Sequence, residues 1–176
     1  MEFFLSSIEG RAFRIAQIAT GNRDDALDIV QDTMAKMVQN YSTYAKDEWR
    51  PLFYRVLQTR ILDWHRRQKV RNRFRSWFHW NNDDHDEDGH EDFISQQPAR
   101  RNSDPDVILQ DAQFMGDLNS ALSALPLRQQ QVFLMRVWEG LDIAETAIAM
   151  QCSESSVKTH YARALGKLRA QLQQHT

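Results

Sequence analysis

The middle of the sequence limits what this chain can fold into, because residues 81–106 do not fit a packed core. This segment contains nine acidic and two basic residues, together with one glycine and two prolines. Dense like charge repels itself, and the segment has no sustained helical or strand period. We therefore expect two folded domains, 1–78 and 107–176, joined by a flexible acidic linker over 79–106.

The charge outside residues 81–106 is positive, with twenty basic and fifteen acidic residues. The excess lies within residues 1–80. From Arg55 to Arg75 there are eight basic residues and one acidic residue, Asp63. Such a patch suits a polyanion such as nucleic acid. A solvated helix face is the commoner explanation of a basic stretch, so the patch alone does not establish binding.

Apolar residues recur at three- and four-residue steps, which predicts helices rather than strands. In the first domain we expect helices over about 3–19, 24–41 and 50–70. The apolar stripe of the second helix is Ala26, Ile29, Val30, Thr33, Met34, Met37, Val38 and Tyr41. The residues expected to face inward from the third helix are Phe53, Val56, Leu57, Ile61 and Trp64.

The second domain is also expected to be helical, which makes the whole chain all-α. Order resumes near Val107, Pro126 starts another helix and Gly140 ends it. Helices over 141–150 and 153–172 then form a pair joined by a tight turn, with Ser153 as the N-cap of the last helix. Two short helices, a tight turn and a basic second helix predict a helix-turn-helix.

The last helix carries polar and basic residues on the half that a helix-turn-helix inserts into a major groove. The residues expected to face DNA are Lys158, Thr159, His160 and Arg163. Arginine can pair with guanine, and threonine can contact a thymine methyl group or a phosphate. Ordinary helical packing explains an alanine-rich helix pair equally well.

The segment "LPLRQQQVFLMRVWEGLDIAETAIAMQCSESSVKTHYARALGKLR" resembles the C-terminal domain of bacterial extracytoplasmic-function (ECF) sigma factors. The residues that carry this resemblance are Leu125, Pro126, Arg128, Ser156, Val157, Lys158, Arg163 and Ala164. In the N-terminal domain, "DALDIVQDTMAKM" resembles the helix of that family that binds core polymerase, and "FYRVLQTRILDWHRRQKVR" resembles its promoter-melting helices. The resemblance covers both domains in the same order.

The resemblance implies a sigma factor that binds core RNA polymerase and directs promoter-specific initiation. It assigns the C-terminal helix-turn-helix to the −35 element and adds Ser156 to the residues expected to contact DNA there. It assigns three residues to core polymerase: Asp28, Gln31 and Asp32. It assigns the −10 element to Trp49, Thr59 and Arg60, and the basic residues Arg66, Arg67 and Lys69 of the same segment are expected to hold duplex phosphates there. Packing in the core is an equal alternative for Trp49. The implied partners are core RNA polymerase, promoter DNA and an anti-sigma factor.

Three positions depart from the pattern of the family. Leu52 occupies a position that often holds tryptophan, and Thr59 one that usually holds asparagine. Gln151 occupies a turn position that commonly holds glycine, where a left-handed conformation would cost a non-glycine residue about 1 kcal/mol. Because Thr59 lies in the part assigned to the −10 element, the promoter preference of the family does not transfer to this chain.

Other functional classes fit the sequence poorly. No apolar run approaches the roughly 18 residues of a membrane helix, and the N-terminus lacks the features of a signal peptide. A single cysteine excludes an internal disulfide and suits a reducing cytoplasm. No nucleophile–base constellation is visible, so we expect no catalytic residue, no metal, no cofactor and no enzyme activity.

Two alternatives remain at this stage. A stand-alone regulator that binds DNA as a dimer would explain the helix-turn-helix but not the first domain. A metal-dependent nuclease would have to use the linker histidines, His79, His85 and His90, which lack a rigid element to fix their geometry. The acidic linker could be a plain tether. By the resemblance, it could instead occupy the basic RNA path of the polymerase by imitating RNA, and we favour this second role.

Overall fold

The computed structural model describes residues 1–79 and 115–173, with side chains over 1–73 and 115–172. No strand occurs among these residues, as expected of an all-α fold, and every helix within them is too short or too polar to span a bilayer. The helices are α1 (Glu2–Thr20), α2 (Arg23–Tyr41), α3 (Trp49–His79), α4 (115–123), α5 (Leu127–Phe133, continuing as a π-helical turn over Leu134–Trp138), α6 (Ile143–Met150) and α7 (Glu154–Gln173). The predicted linker beyond His79 lies outside the described residues.

The turn between α1 and α2 is specified by two adjacent residues. Gly21 ends α1 in a left-handed conformation, with φ of 67°, and its backbone N–H donates to the carbonyl of Gln17. The side chain of Asn22 then accepts from the backbone N–H groups of Asp24 and Asp25. A left-handed glycine and an asparagine N-cap together end one helix and start the next.

Helices α1, α2 and α3 pack around one apolar core. Of the residues predicted to face inward from α3, Phe53, Leu57 and Ile61 are fully buried, Val56 is buried and Trp64 is half-buried. The sequence pattern missed Tyr54, which is also fully buried. The stripe predicted on α2 is wrong at one position, since 52% of the surface of Val38 is exposed.

The described residues fall into a first half, 1–79, and a second half, 115–173. In the second half, α5, α6 and α7 pack against one another. The π-helical turn after α5 ends at Gly140, which has φ of 64°. A capping box starts α6, in which Asp142 accepts from the backbone of Glu145 while the Glu145 side chain accepts from the backbone of Asp142. Gln151 ends α6 in the left-handed conformation, with φ of 52°, at the position where the family pattern has glycine.

The two halves share a core, which the sequence did not predict. Helix α6 lies directly against α3, and one cluster of buried residues spans both halves. From the second half this cluster includes Leu134, Met135, Leu141 and Ala149.

We expect Phe53→Ala to lower the free energy of unfolding by about 3–5 kcal/mol, because the ring is completely buried and its loss leaves a cavity. The control is Phe3→Ala, at a phenylalanine that is 89% exposed, where the change should stay below about 0.5 kcal/mol. Urea unfolding followed by circular dichroism measures both. Equal losses from the two substitutions would contradict the assignment of Phe53 to the core.

Candidate functional site

The helix-turn-helix consists of α6, a three-residue turn and α7. Ser153 caps α7, since its hydroxyl accepts from the backbone N–H of Ser156 at 3.1 Å. This agrees with the sequence prediction. Val157, Ala164 and Leu168 bury the inner face of α7. The fixed start and the buried face together hold the opposite face of α7 in a defined orientation.

The outer face of α7 presents three of the five residues predicted to contact DNA. Lys158, Thr159 and Arg163 are exposed, and Thr159 and Arg163 lie one turn apart on the same side of the helix. Ser156 and His160 are half-buried, and Nδ1 of His160 is buried without a hydrogen-bond partner. The surface that α7 offers to a ligand is therefore narrower than the sequence indicated.

Two arginines that the sequence analysis did not assign to packing hold the helix-turn-helix together. Arg128 donates from Nη1 to the carbonyl of Met150, at the end of α6, over 3.1 Å. The guanidinium of Arg136 lies 5.9 Å from the ring centroid of Tyr161 on α7 and also donates to the carbonyl of Leu141. These contacts satisfy the end of α6 and position α7.

The residues predicted to contact the −10 element differ in exposure. Arg66, Arg67 and Lys69 are exposed, whereas Thr59 and Arg60 are half-buried, and the hydroxyl of Thr59 accepts from Nε2 of Gln151 in the second half. Arg66 lies 3.4 Å from the carboxylate of Asp63 on the preceding turn. The basic side chains at 66–69 are open to solvent, and the residues one to two turns earlier are partly covered.

Trp49 does not present its ring to solvent in this structure. It is buried, its indole Nε1 donates to the carbonyl of Tyr44 at 3.0 Å, and its ring lies 5.8 Å from that of Phe4. In the loop between α2 and α3, the exposed aromatic residue is Tyr44, at 46% exposure. In this structure Trp49 therefore supports the loop between α2 and α3, which agrees with the core packing that the sequence left open beside a base-binding role.

A groove of about 400 Å³ separates α2 from α3. It is lined by Asp25, Asp28, Ile29, Gln31 and Asp32 on one side and by Trp64, Arg67, Gln68 and Arg71 on the other. The three residues predicted to bind core polymerase all belong to this set, and each is exposed. Arg67, which the sequence analysis assigned to DNA, lies in the same groove.

The groove offers carboxylates that are free to bind a partner. Within the part of the chain that the structure describes, neither Asp28 nor Asp32 lies within ion-pair distance of a basic group. The arginines on the opposite wall are close enough to line the same groove but do not neutralise these acids. The groove is thus acidic on one side, basic on the other, and partly apolar at Ile29 and Trp64.

A buried polar cluster around Glu139 was not evident from the sequence. Glu139 follows the π-helical turn and is 3% exposed. The hydroxyl of Tyr54 donates to its carboxylate, Arg50 donates to its backbone carbonyl, and Nη1 of Arg11 lies 3.8 Å from Oε2. Burial, and then the neighbouring carboxylate, raise the pKa of Tyr54, so its hydroxyl stays protonated and remains a donor.

Two family profiles match the chain in the order of its two halves. "Sigma-70 region 2" matches residues 4–71, and "Sigma-70, region 4" matches residues 115–168. The chain belongs to the sigma-70 family. The matched residues include α1, α2 and the groove in the first half, and the whole helix-turn-helix up to Leu168 in the second.

Curated relatives and a solved structure agree with this assignment. The chain is similar to the RNA polymerase sigma factor SigV of Bacillus subtilis (strain 168), with 29% identity over 161 residues, or 91% of this chain and 83% of SigV. It is 25% identical to the ECF sigma factor SigX of the same organism over 154 residues, or 86% of this chain and 73% of SigX. A co-crystal structure of the sigma factor RpoE with the anti-sigma factor NepR, from Bartonella quintana, shares the fold. Its TM-score is 0.65 at 19% identity, over 98% of this chain and 96% of that one.

The chain is therefore an ECF sigma factor, which directs transcription initiation by RNA polymerase. The alternative of a stand-alone dimeric regulator is wrong, because the sigma-70 region 2 match accounts for the first half that this alternative left unexplained. Among the residues that the structure describes, no group of histidine, cysteine, aspartate and glutamate could hold a metal ion. The side chains of the linker histidines lie outside those residues.

Proposed function

We propose that this sigma factor binds core RNA polymerase through the groove between α2 and α3 and reads the −35 element with α7. The observation that carries the proposal is the exposure of both surfaces: the acids of the groove on one half and the outer face of α7 on the other. In this proposal the protein acts in the cytoplasm with polymerase and catalyses no reaction itself. The Bartonella relative suggests an anti-sigma factor as a further partner.

The groove suits a protein partner better than a small molecule. Its walls carry charged side chains of both signs, and Trp64 provides an apolar contact between acidic and basic residues. Charges of both signs at the edge of an apolar contact give orientation and specificity, while the apolar part gives affinity. We propose that Asp28, Gln31 and Asp32 contact basic residues of the polymerase and that Arg67 lies at the edge of the same contact.

The outer face of α7 suits duplex DNA. Thr159 and Arg163 can reach base edges from one side of the helix, and Lys158 can reach a phosphate. On α3, Arg60, Arg66 and Lys69 provide phosphate contacts near the −10 element. Each such contact would steepen the dependence of duplex binding on salt by about 0.9 in logarithmic slope.

Run-off transcription with purified core polymerase tests this function directly. We expect specific transcripts from genomic promoter fragments only when both the sigma factor and the core enzyme are present, because specificity and catalysis reside in different proteins. The start sites map the promoter elements. The absence of any specific transcript across a genomic library would contradict the proposal.

Charge reversal in the groove, Asp28→Arg with Asp32→Arg, should weaken binding to core polymerase by at least about tenfold. Both side chains are exposed on α2, so helix content should not change. The matched control is Glu2→Arg with Glu9→Arg, which makes the same charge change on exposed positions of α1. Affinity is measured by titration of labelled protein with core enzyme. Equal affinities of the two double variants would contradict the role of the groove.

Alanine substitutions on α7 distinguish a side chain that contacts a base from one that contacts a phosphate. Arg163→Ala should cost about 1–3 kcal/mol on the cognate −35 element and relax specificity there, whereas Lys158→Ala should weaken binding uniformly and reduce the salt slope by about 1. The control is Lys167→Ala with Arg169→Ala, two exposed residues nearer the end of the same helix. Promoter binding by holoenzyme is measured at several salt concentrations. Unchanged binding in the Lys158→Ala, Arg163→Ala double variant would exclude α7 as the reader.

A further inference from the structure

We propose that the groove between α2 and α3 binds a segment of core RNA polymerase that carries charges of both signs, with basic side chains against α2 and acidic side chains against α3. The acidic side chains contact Arg67 and Arg71, which line the groove from α3. These two arginines of the basic run therefore bind protein and not DNA. The inference rests on the proposed function, since it concerns the same groove, and it specifies the chemistry of the partner.

The charge of the groove does not suit a nucleic acid. Its walls carry three carboxylates and two guanidinium groups, which belong to Asp25, Asp28, Asp32, Arg67 and Arg71. A polyanion is attracted by an excess of positive charge, which this groove lacks. A partner with one sign of charge would be attracted by one wall and repelled by the other. A partner with both signs, arranged in the opposite order across the groove, meets complementary charge on both walls.

The two walls of the groove do not neutralise each other. In the described part of the chain, no ion pair joins a carboxylate of α2 to Arg67 or Arg71. Both arginines are exposed, as are Asp28 and Asp32 on the opposite wall. Between the walls, Trp64 is half-buried and offers an apolar contact. Because a guanidinium group can donate two parallel hydrogen bonds to one carboxylate, the wall on α3 suits acidic side chains in particular.

Helical geometry separates the two groove arginines from their basic neighbours on α3. Successive residues of an α-helix lie about 100° apart around its axis, so Arg67 and Arg71 are about 40° apart, on the face that also contains Trp64. Arg66 and Lys69 are about 60° apart, and the middle of their face lies about 150° from the middle of the groove face. Both pairs are exposed. Duplex DNA that contacts Arg66 and Lys69 therefore lies on the side of α3 away from the groove.

Two double charge reversals in the full chain distinguish the two faces of α3. Arg67→Glu with Arg71→Glu reverses the basic wall of the groove, and Arg66→Glu with Lys69→Glu makes the same change of net charge on the opposite face. The groove variant should weaken binding to core polymerase by at least about tenfold, because acidic side chains of the partner would meet acidic side chains. The control should stay within about twofold of the wild type, because salt screens an exposed charge outside the contact. Titration of labelled protein with core enzyme measures both affinities.

Promoter binding by the holoenzyme should give the reverse result for the same two variants. The probe is a promoter fragment whose start site has been mapped by run-off transcription, and core polymerase is present in saturating excess. Arg66→Glu with Lys69→Glu should reduce the slope of log affinity against log salt by about 1.8, at about 0.9 for each phosphate contact. Arg67→Glu with Arg71→Glu should keep the wild-type slope, because the groove variant removes no contact with DNA.

A quadruple variant tests whether the groove distinguishes the order of charges on its partner. Asp28→Arg and Asp32→Arg, combined with Arg67→Glu and Arg71→Glu, exchange the signs of the two walls and restore the net charge of the chain. If each wall faces partner groups of opposite sign, both contacts become repulsive, and the affinity for core polymerase should be no higher than that of the weaker double variant. Recovery of the wild-type affinity would overturn the ordered arrangement, because total charge alone would then determine binding.

The outcomes separate this inference from the proposed function. If Arg67→Glu with Arg71→Glu keeps the wild-type affinity for core polymerase, or reduces the salt slope as the control does, the inference is overturned even when reversal of Asp28 and Asp32 weakens that affinity. If the arginine variant weakens core binding and the aspartate variant does not, the contact of the basic wall with acidic groups is supported and the proposed role of the acids is not. Circular dichroism and thermal unfolding verify that each variant is folded.

Discussion

The packing of one helix, α3, against α1, α2 and α6 determines how the described parts of the chain contact one another. Its side chains Phe53, Leu57 and Ile61 fill the core formed with α1 and α2, and the adjacent row of Tyr54 and Gln58 faces the second half. Its later turns carry the basic residues and one wall of the groove. The same helix therefore supplies part of the core, the contact between the halves and part of both ligand surfaces proposed for the first half. A substitution on α3 must be interpreted by the face on which it lies.

The features that could be predicted from the sequence are those that local residue spacing determines, such as helix faces and helix ends. Steps of four residues identify Phe53, Leu57 and Ile61 as one face, and Gly21, Pro126 and Gly140 mark helix ends by their backbone preferences. The helix-turn-helix followed from the helix pair and its tight turn. The acids of the groove followed from the resemblance, and the structure brings them together. The fold class and the family could therefore be predicted before the structure was known.

Contacts between residues that are far apart in the sequence explain the roles that sequence patterns did not predict. Tyr54 is buried with its hydroxyl donating to the carboxylate of Glu139, 85 residues away. The spacing of apolar residues along the sequence cannot reveal a partner at that distance. Trp49 has the composition of a base-stacking residue, yet Phe4 on α1 and the carbonyl of Tyr44 determine its position. Arg67 belongs to a basic run in the sequence, but the pitch of α3 directs it to the groove that holds Asp28 and Asp32. In each case, tertiary contacts changed the role that composition indicated.

Two of the three positions at which the sequence departs from the family pattern meet in space. Gln151 adopts the left-handed conformation that glycine would adopt without strain, at a cost of about 1 kcal/mol. Glycine has no side chain, whereas the amide of Gln151 reaches across the interface to the hydroxyl of Thr59, the other unusual residue. A hydrogen bond between partly solvated groups stabilises by about 0.5–1.5 kcal/mol, so the two effects nearly cancel. The turn of the helix-turn-helix is therefore tied to α3 by a side chain that glycine would not supply, at little net cost in free energy.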